Sequence, residues 1–388
     1  MERRLFERRS FISLIGKSCV IFAPSFLHSR SISGNEKQKK NHGIKFEPNS
    51  KLIFPRDFGA HYNYGIEWWY VTGWLNNIYG EELAYQLTFF RRKTFMGEKN
   101  PSRFAPKHLI FAHATLISKK LGVLKKDQRA GRLGSGLVMC SDKNTDVRFE
   151  DWIINRNKTT DQYKIKVDSN EFSFDMELEP QTTQKNLILR GDGGFSRKGP
   201  EISQASWYYS RPNLKTRGSV SINNKNYSIQ GLSWLDHEWS SELLHPDAVG
   251  WDWVGINLVD GGSLMAFRIR KNDGSTIWSD FSMLDAHGNK HYLLQQNDTN
   301  DSILSAEWKT LKEWLSPNSF VKYPISQKIT IGQNALLFLP LIENQELDAR
   351  MTTGGFYWEG AVKLVIKDQV FGKGFLELTG YASPILLR

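Results

Sequence analysis

From about residue 50 onward the chain is a succession of short apolar and aromatic runs cut by Gly, Asn and Asp. The runs at 67–75, 83–90, 108–117, 163–167, 172–178, 218–222, 227–232, 253–258, 263–269, 276–284, 328–331, 335–340, 360–366 and 375–381 are short, and many alternate in polarity. Between runs stand turn signals such as Asn76-Asn77, Asn223-Asn224, Asp260-Gly261-Gly262, Asn272-Asp273-Gly274 and His287-Gly288-Asn289. Alternation with period two marks a half-buried strand, and brief Gly/Asn connections mark hairpins. Many short strands at regular spacing restrict the fold to all-β barrels or sandwiches. Residues 304–315 are the exception and predict one short helix.

The 388 residues exceed one typical domain and suit two. An internal similarity supports that division. Trp68-Trp69-Tyr70-Val71-Thr72-Gly73-Trp74-Leu75 leads through a polar turn and a second run to Arg91-Arg92. Trp251-Asp252-Trp253-Val254-Gly255-Ile256-Asn257-Leu258 leads through a Gly-Gly turn to Arg270. These Trp-opened hairpins lie one domain length apart. They predict two lipocalin-like antiparallel β-barrels, one over 41–235 and one over 236–388, behind a leader at 1–40. A small barrel of this kind can enclose one apolar ligand. The 13 Trp, 23 Phe and 13 Tyr supply aromatic surface for a core and for such a cavity.

Charge and cysteine content narrow the function. The formal net charge is +10, but residues 1–40 carry nine Lys or Arg against three Asp or Glu, so the remainder is only mildly basic. No zinc-finger spacing or RNA-binding signature is present, and nucleic acid is not expected as a partner. Of the two cysteines, Cys19 falls in the leader. A disulfide-stapled fold is therefore excluded within one chain, and Cys140 reads as a small buried hydrophobe. The leader pairs a charged start with an apolar run at 11–27 broken by Lys17, too short and interrupted to span a membrane. Arg8-Arg9-Ser10-Phe11-Ile12 resembles a twin-arginine export signal. Export to the periplasm or exterior is expected, with 31–45 as a linker; the alternative is a basic tail or a transit peptide.

Several words then fall in one order along residues 50–385. They are His61-Tyr62-Asn63-Tyr64-Gly65-Ile66-Glu67-Trp68-Trp69-Tyr70-Val71-Thr72-Gly73, Phe111-Ala112-His113-Ala114, Tyr208-Tyr209-Ser210-Arg211-Pro212, Gly231-Leu232-Ser233-Trp234-Leu235-Asp236-His237-Glu238-Trp239-Ser240, Gly250-Trp251-Asp252-Trp253, Tyr357-Trp358-Glu359-Gly360 and Leu376-Glu377-Leu378-Thr379-Gly380-Tyr381. Together they resemble the AttH and carotenoid 1,2-hydratase (hydroxyneurosporene synthase) family. The resemblance implies two calycin-like barrels, small apolar and often isoprenoid ligands, and, in characterised relatives, addition of water to an alkene. One departure stands out: residues 263–269 carry no carboxylate where the resemblance to carotenoid hydratases leads one to expect an acid.

Alkene hydration needs an acid, a dry pocket and a stabiliser for developing positive charge, and neither a metal nor an organic cofactor is expected. A carboxyl in an apolar site can hold its proton near neutral pH, and aromatic faces can stabilise a cation. Asp236-His237-Glu238-Trp239 gathers two carboxylates, an imidazole and an indole in what reads as a turn. Strand-like alternation places His237 and Trp239 on one side, Asp236 and Glu238 on the other. His237 is the expected proton donor or water orienter and Trp239 the cavity wall and cation stabiliser, with Asp236 or Glu238 orienting or acidifying. The alternative is an inter-domain corner whose polar groups are satisfied by backbone. Glu67, Trp69, Trp251, Trp253, Tyr357 and Glu359 are the substrate-lining candidates. Glu67 either faces the pocket or pairs with Arg91 or Arg92, and Asp252 points away from the flanking indoles. His61 and His113 read as ordinary polar positions. No G-x-S-x-G elbow or P-loop is present, and His287 and His291 sit on a turn unsuited to zinc. Three readings stay open: a cofactor-free hydratase or lyase, a non-catalytic carrier of a lipid or isoprenoid, and a hydrolase. On each reading the partner is a small apolar ligand, with membrane contact only through that ligand.

Overall fold

The computed structural model describes residues 50–96, 98–102, 104–120, 122–182, 186–295 and 306–385. The leader at 1–40 and the linker at 31–45 lie outside the described residues. Among those described, the alternating runs form two curled antiparallel sheets, one a nearly closed barrel and the other a half-barrel. The first sheet has thirteen strands among the described residues. Its order runs from Val123–Arg132 through His108–Ser118, Glu82–Lys93, Ile66–Asn77, Lys225–Ser240, Ala205–Ile222, Phe172–Glu179 and Tyr163–Asp168 to three short strands ending at Val138–Cys140. The second sheet has nine described strands, in which Gly250–Leu258 lies between Ser263–Arg270 and Gln369–Leu378, and Phe356–Ile366 follows. The chain thus stays in the first sheet through Ser240 and opens the second at Gly250, a few residues beyond the 235/236 division read from the sequence.

Strand geometry sends successive side chains to opposite faces. Trp69, Val71, Tyr85, Leu87, Phe89, Tyr209 and Trp239 fill the interior of the first barrel. Ile256, Leu264, Phe338, Trp358 and Leu376 pack within the second. The alternate positions form a third cluster where the sheets meet, built from Tyr70, Trp74, Tyr208, Trp234, Trp253, Phe267 and Phe375. The central strands are consequently buried on both faces. That explains why Ile66–Asn77 reads as an almost unbroken aromatic run rather than a clean alternation. Directed bonds pin the seam as well. The Trp74 indole N–H donates to the Gly374 carbonyl at 2.8 Å, and the Lys363 and Lys373 ammoniums reach Glu82 at 2.9 and 2.7 Å.

Both Trp-opened hairpins are present, and each buries an acid against arginine at its far end. Glu67 pairs in register with Arg91, and Asp252 with Arg268. Arg268 and Arg270 hold Asp252 at 2.7 and 2.9 Å. Cys140 is free and buried, as its composition-based reading expects. The helix expected over 304–315 is instead the strand Glu307–Leu315, paired with Lys322–Ile331. Its apolar spacing is helix-like, but the next strand pairs with it along most of its length, though irregularly near Lys312, and that pairing overrides local pattern. Among the described residues no helix is long and apolar enough to cross a membrane.

The seam is as much a core as either interior. Phe375 within it is fully buried. Phe375→Ala should lower unfolding stability by about 3–5 kcal/mol, read from urea denaturation. A loss below about 1 kcal/mol would show that the two sheets merely touch.

Candidate functional site

The strand Lys225–Ser240 divides the four-residue Asp-His-Glu-Trp word between two environments. His237 and Trp239 turn into the first barrel, where both are fully buried. Asp236 and Glu238 turn outward to the seam. The segment is the end of a long strand rather than the turn expected, because its register with Ile66–Asn77 and Ala205–Ile222 is unbroken there.

On the inner face, His237 belongs to a closed ion network. Glu67 accepts from the His61 backbone N–H at 2.9 Å, and its Oε1 lies 2.8 Å from His61 Nδ1 and 2.9 Å from His237 Nε2. Its other oxygen takes the Arg91 guanidinium at 2.8 Å. His61 Nε2 lies 3.1 Å from Asp57, and His237 Nδ1 lies 3.0 Å from the Tyr209 hydroxyl. Rings clamp the network: His61 stacks on Trp239 at 3.6 Å and His237 on Trp69 at 4.9 Å. Burial works against the Glu67 anion, yet Arg91, His237 and His61 outweigh it and hold the carboxyl well below its usual range. Burial likewise opposes the His61 cation, but Asp57 and Glu67 prevail and raise it. Burial lowers His237 in spite of Glu67. A neutral His237 then donates from Nε2 to Glu67 and accepts at Nδ1 from Tyr209. Among the described residues, His61, Glu67 and His237 also gather one potential metal-ligand atom each within 4.8 Å. The fit is poor, since both Glu67 oxygens are already occupied by donors and a buried arginine sits on one of them.

On the outer face, the seam opens into a cavity of about 690 Å³. That lies within the ordinary range for a small-molecule site, about 300–1,000 Å³. Trp68, Phe90, Tyr208, Trp251, Trp253 and Phe267 supply much of its apolar wall. Sequence reading expects a hollow inside a barrel; this cavity lies between the two sheets. The first barrel spends its interior on its own aromatic core, and the faces left over meet without filling the space. Of the substrate-lining candidates, Trp251, Trp253, Tyr357 and Glu359 border the cavity. Glu67 reaches its edge while pairing with Arg91, and Trp69 stays inside the first barrel. Arg92 lines the cavity too. Asp252 points away from the cavity indoles, as alternation expects. His113 also borders the cavity, held between the Tyr357 hydroxyl at 2.8 Å and Thr352 at 2.7 Å. Burial pushes it down to about 3, so it is a neutral imidazole.

Besides Glu67, four carboxyl groups meet this wall. Asp236 accepts from Ser210 at 2.5 Å and from Trp234 and Tyr208 at 2.8 Å each. Burial still lifts it to about 6 against those donors. Glu238 takes the Ser206 hydroxyl and lies 3.2 Å from the Lys198 ammonium. Glu359 and Glu377 stand opposite each other on neighbouring strands. Burial, reinforced by nearby carboxylates, pushes Glu377 up to about 7 and Glu359 well above its usual range. The Trp251 indole N–H donates to Glu377 at 3.2 Å and offsets only part of that rise. The site thus sets carboxyl groups that burial pushes toward protonation beside an ionisable Asp236, the pairing that acid–base chemistry requires. Sequence reading missed Glu377, Tyr208 and Tyr70. The available signal was a lone acid in the apolar strand Gln369–Leu378, whose partner across the ladder is Trp253.

A family model described as AttH-like matches residues 45–381. An AttH protein from Nitrosomonas europaea is 39% identical, with a TM-score of 0.78 over 87% of this chain and 99% of that one. Kievitone hydratase from Nectria haematococca is 14% identical, with a TM-score of 0.64 over 88% of this chain and 97% of its own. CghA bound to Sch210972 is 10% identical, with a TM-score of 0.54 over 87% of this chain and 93% of its own. The last two likenesses show the fold alone. No curated protein sequence matches the chain.

The inner network has a testable sign. Because the folded carboxyl of Glu67 is depressed, its contribution to stability is present above the unfolded value of 4.5 and is lost as pH falls through the folded one. Arg91→Met strands that anion and should cost about 3–5 kcal/mol at pH 7, with a smaller deficit at pH 4. Urea melts at the two pH values would report it; an equal loss at both would contradict the account.

Proposed function

The chain belongs to the AttH-like family, and on that footing we propose that it is a cofactor-free hydratase. It adds water across a carbon–carbon double bond of a small apolar, isoprenoid-like substrate held between the barrels. The observation that carries this reading is the aromatic-walled cavity lined by buried carboxyl groups, which burial pushes toward protonation. Kievitone hydratase, a protein of the same fold, is a hydratase by name. Glu377 acts as proton donor. Asp236, ionised near neutrality and hydrogen-bonded through the Tyr208 hydroxyl that also meets the Trp253 indole at 3.2 Å, accepts the proton of the incoming water. His237, the donor expected from sequence, supports this strand from the opposite face. Trp251 and Trp253 take the wall role expected of Trp239. The proposal includes export to the periplasm or exterior through the twin-arginine-like leader; fractionation of cells making the full chain, with and without Arg8 and Arg9, tests it.

The apolar wall also suits a carrier that performs no chemistry. Incubation with lycopene-like and other prenylated alkenes in oxygen-labelled water separates the readings. Addition raises product mass by one water, hydrolysis cleaves the substrate, and a carrier returns it unchanged.

The acid and base roles also fix a pH profile. Asp236 must be ionised and Glu377 protonated, so kcat/KM should peak between the two values, rising through about 6 and falling through about 7. Glu377→Gln should lower kcat by about 10²–10⁴-fold while leaving substrate retention intact. A flat profile from pH 5 to 9, or full activity in that variant, would remove Glu377 from the reaction.

A further inference from the structure

Two oxygens belonging to the cavity wall make no hydrogen bond: the Tyr70 hydroxyl and Oε1 of Glu359. Both residues line the cavity, and both oxygens are buried. They come from different sheets, Tyr70 from Ile66–Asn77 and Glu359 from Phe356–Ile366, so the approach of the two sheets is what brings them together. The two side chains lie close enough to interact, and burial, with the acids around them, raises both above their usual ranges. The site therefore offers two neighbouring O–H groups, one from each sheet, whose nearest acceptors in the chain are each other and which meet no partner in good hydrogen-bond geometry. Buried donors almost always find partners in folded proteins. A neighbouring pair of O–H groups at a ligand cavity, without a well-placed partner in the chain, indicates that a better acceptor arrives with the ligand.

The chemistry of the acids points the same way. A carboxyl group whose proton is held more tightly than usual is a weak acid. It is badly suited to protonating an isolated alkene outright, which leaves a carbocation with no electron-withdrawing help. It is well suited to donating a hydrogen bond to a carbonyl oxygen, or to returning a proton to an enolate, where charge develops on oxygen rather than carbon.

We propose that Tyr70 and Glu359 form a two-donor clamp for a carbonyl oxygen, and that the substrate class of this cavity is the α,β-unsaturated aldehyde or ketone. This rests on the hydratase reading and specifies it. Water bonds through its oxygen to the β-carbon while Asp236 takes its proton. The π pair shifts toward the carbonyl, whose oxygen becomes an enolate held between Tyr70 and Glu359. Glu377 then delivers a proton to the α-carbon. The sum is addition of H and OH across one double bond, with no change of oxidation level overall, and proton exchange with solvent resets Asp236 and Glu377.

Citral is a suitable probe, because it carries a conjugated double bond beside its aldehyde and an isolated one farther along. Myrcene, a hydrocarbon with the same number of carbons, lacks the carbonyl. Binding of each to the purified full chain is followed by quenching of the cavity tryptophans, and products formed in ¹⁸O water are located by mass spectrometry against an enzyme-free control. The clamp predicts that citral binds at least tenfold tighter than myrcene. That preference should fall at least fivefold in Tyr70→Phe. Glu359→Gln, which still offers an N–H, should keep more of it than Glu359→Met. Labelled oxygen should enter at the carbon β to the aldehyde. Equal binding of the two probes, or an unchanged preference in Tyr70→Phe, overturns the clamp whether or not turnover occurs. Label found only at the isolated double bond overturns the conjugate-addition assignment while sustaining a hydratase. Failure to label any alkene, with the binding preference intact, counts against the hydratase reading and leaves the clamp supported.

Discussion

The period-two pleat of a strand buried on both faces is the constraint from which the rest follows. Over 233–240 and 66–75 nearly every side chain belongs either to the first barrel's interior or to the seam with the second sheet. Neighbours in sequence therefore become strangers in space. His237 joins Glu67, His61 and Arg91 inside the barrel, while Asp236 and Glu238 on either side of it face a cavity of about 690 Å³. The seam is possible because the outer face of the first barrel is aromatic rather than wet, and the half-barrel's Trp251, Trp253 and Phe267 complete it.

The same pleat gives buried carboxyl groups two opposite fates. Inside the barrel, Glu67 is fully enclosed but meets a guanidinium and two imidazoles, so its anion is retained and ties the barrel mouth together. In the seam, Glu359 and Glu377 are equally enclosed but face aromatic rings and each other, so both are pushed up, toward holding their protons. Desolvation is the largest influence in both places; the presence of a dedicated cation decides the outcome. One environment locks structure, and the other holds protons available for exchange with a ligand.

The architecture was legible in the sequence because its signals are local. Short alternating runs with Asn and Gly turns announce hairpins, and the two Trp-opened hairpins announce the duplication, including the arginines that later prove to hold Glu67 and Asp252. Residues 304–315 mislead because their apolar spacing suits a helix, while what decides them is hairpin pairing with the next strand, Lys322–Ile331. The site was half legible. The Asp-His-Glu-Trp word marked the right strand and its alternation was read correctly, but nothing in one strand tells which face meets a cavity. Glu377 was hidden for a related reason. A lone acid between Leu376 and Leu378 resembles a solvated strand position until the ladder sets it opposite Trp253 and Glu359.

The account stands on the claim that the working cavity lies between the sheets and not within a barrel. A crystal structure of the protein with a bound prenylated ligand tests it most directly. The expected density lies against Trp253, Tyr208 and Glu377, with the inner network of His61, Glu67 and His237 unchanged. Density threaded into the first barrel among Trp69, Phe89 and Tyr209, with the seam cavity empty, would contradict it.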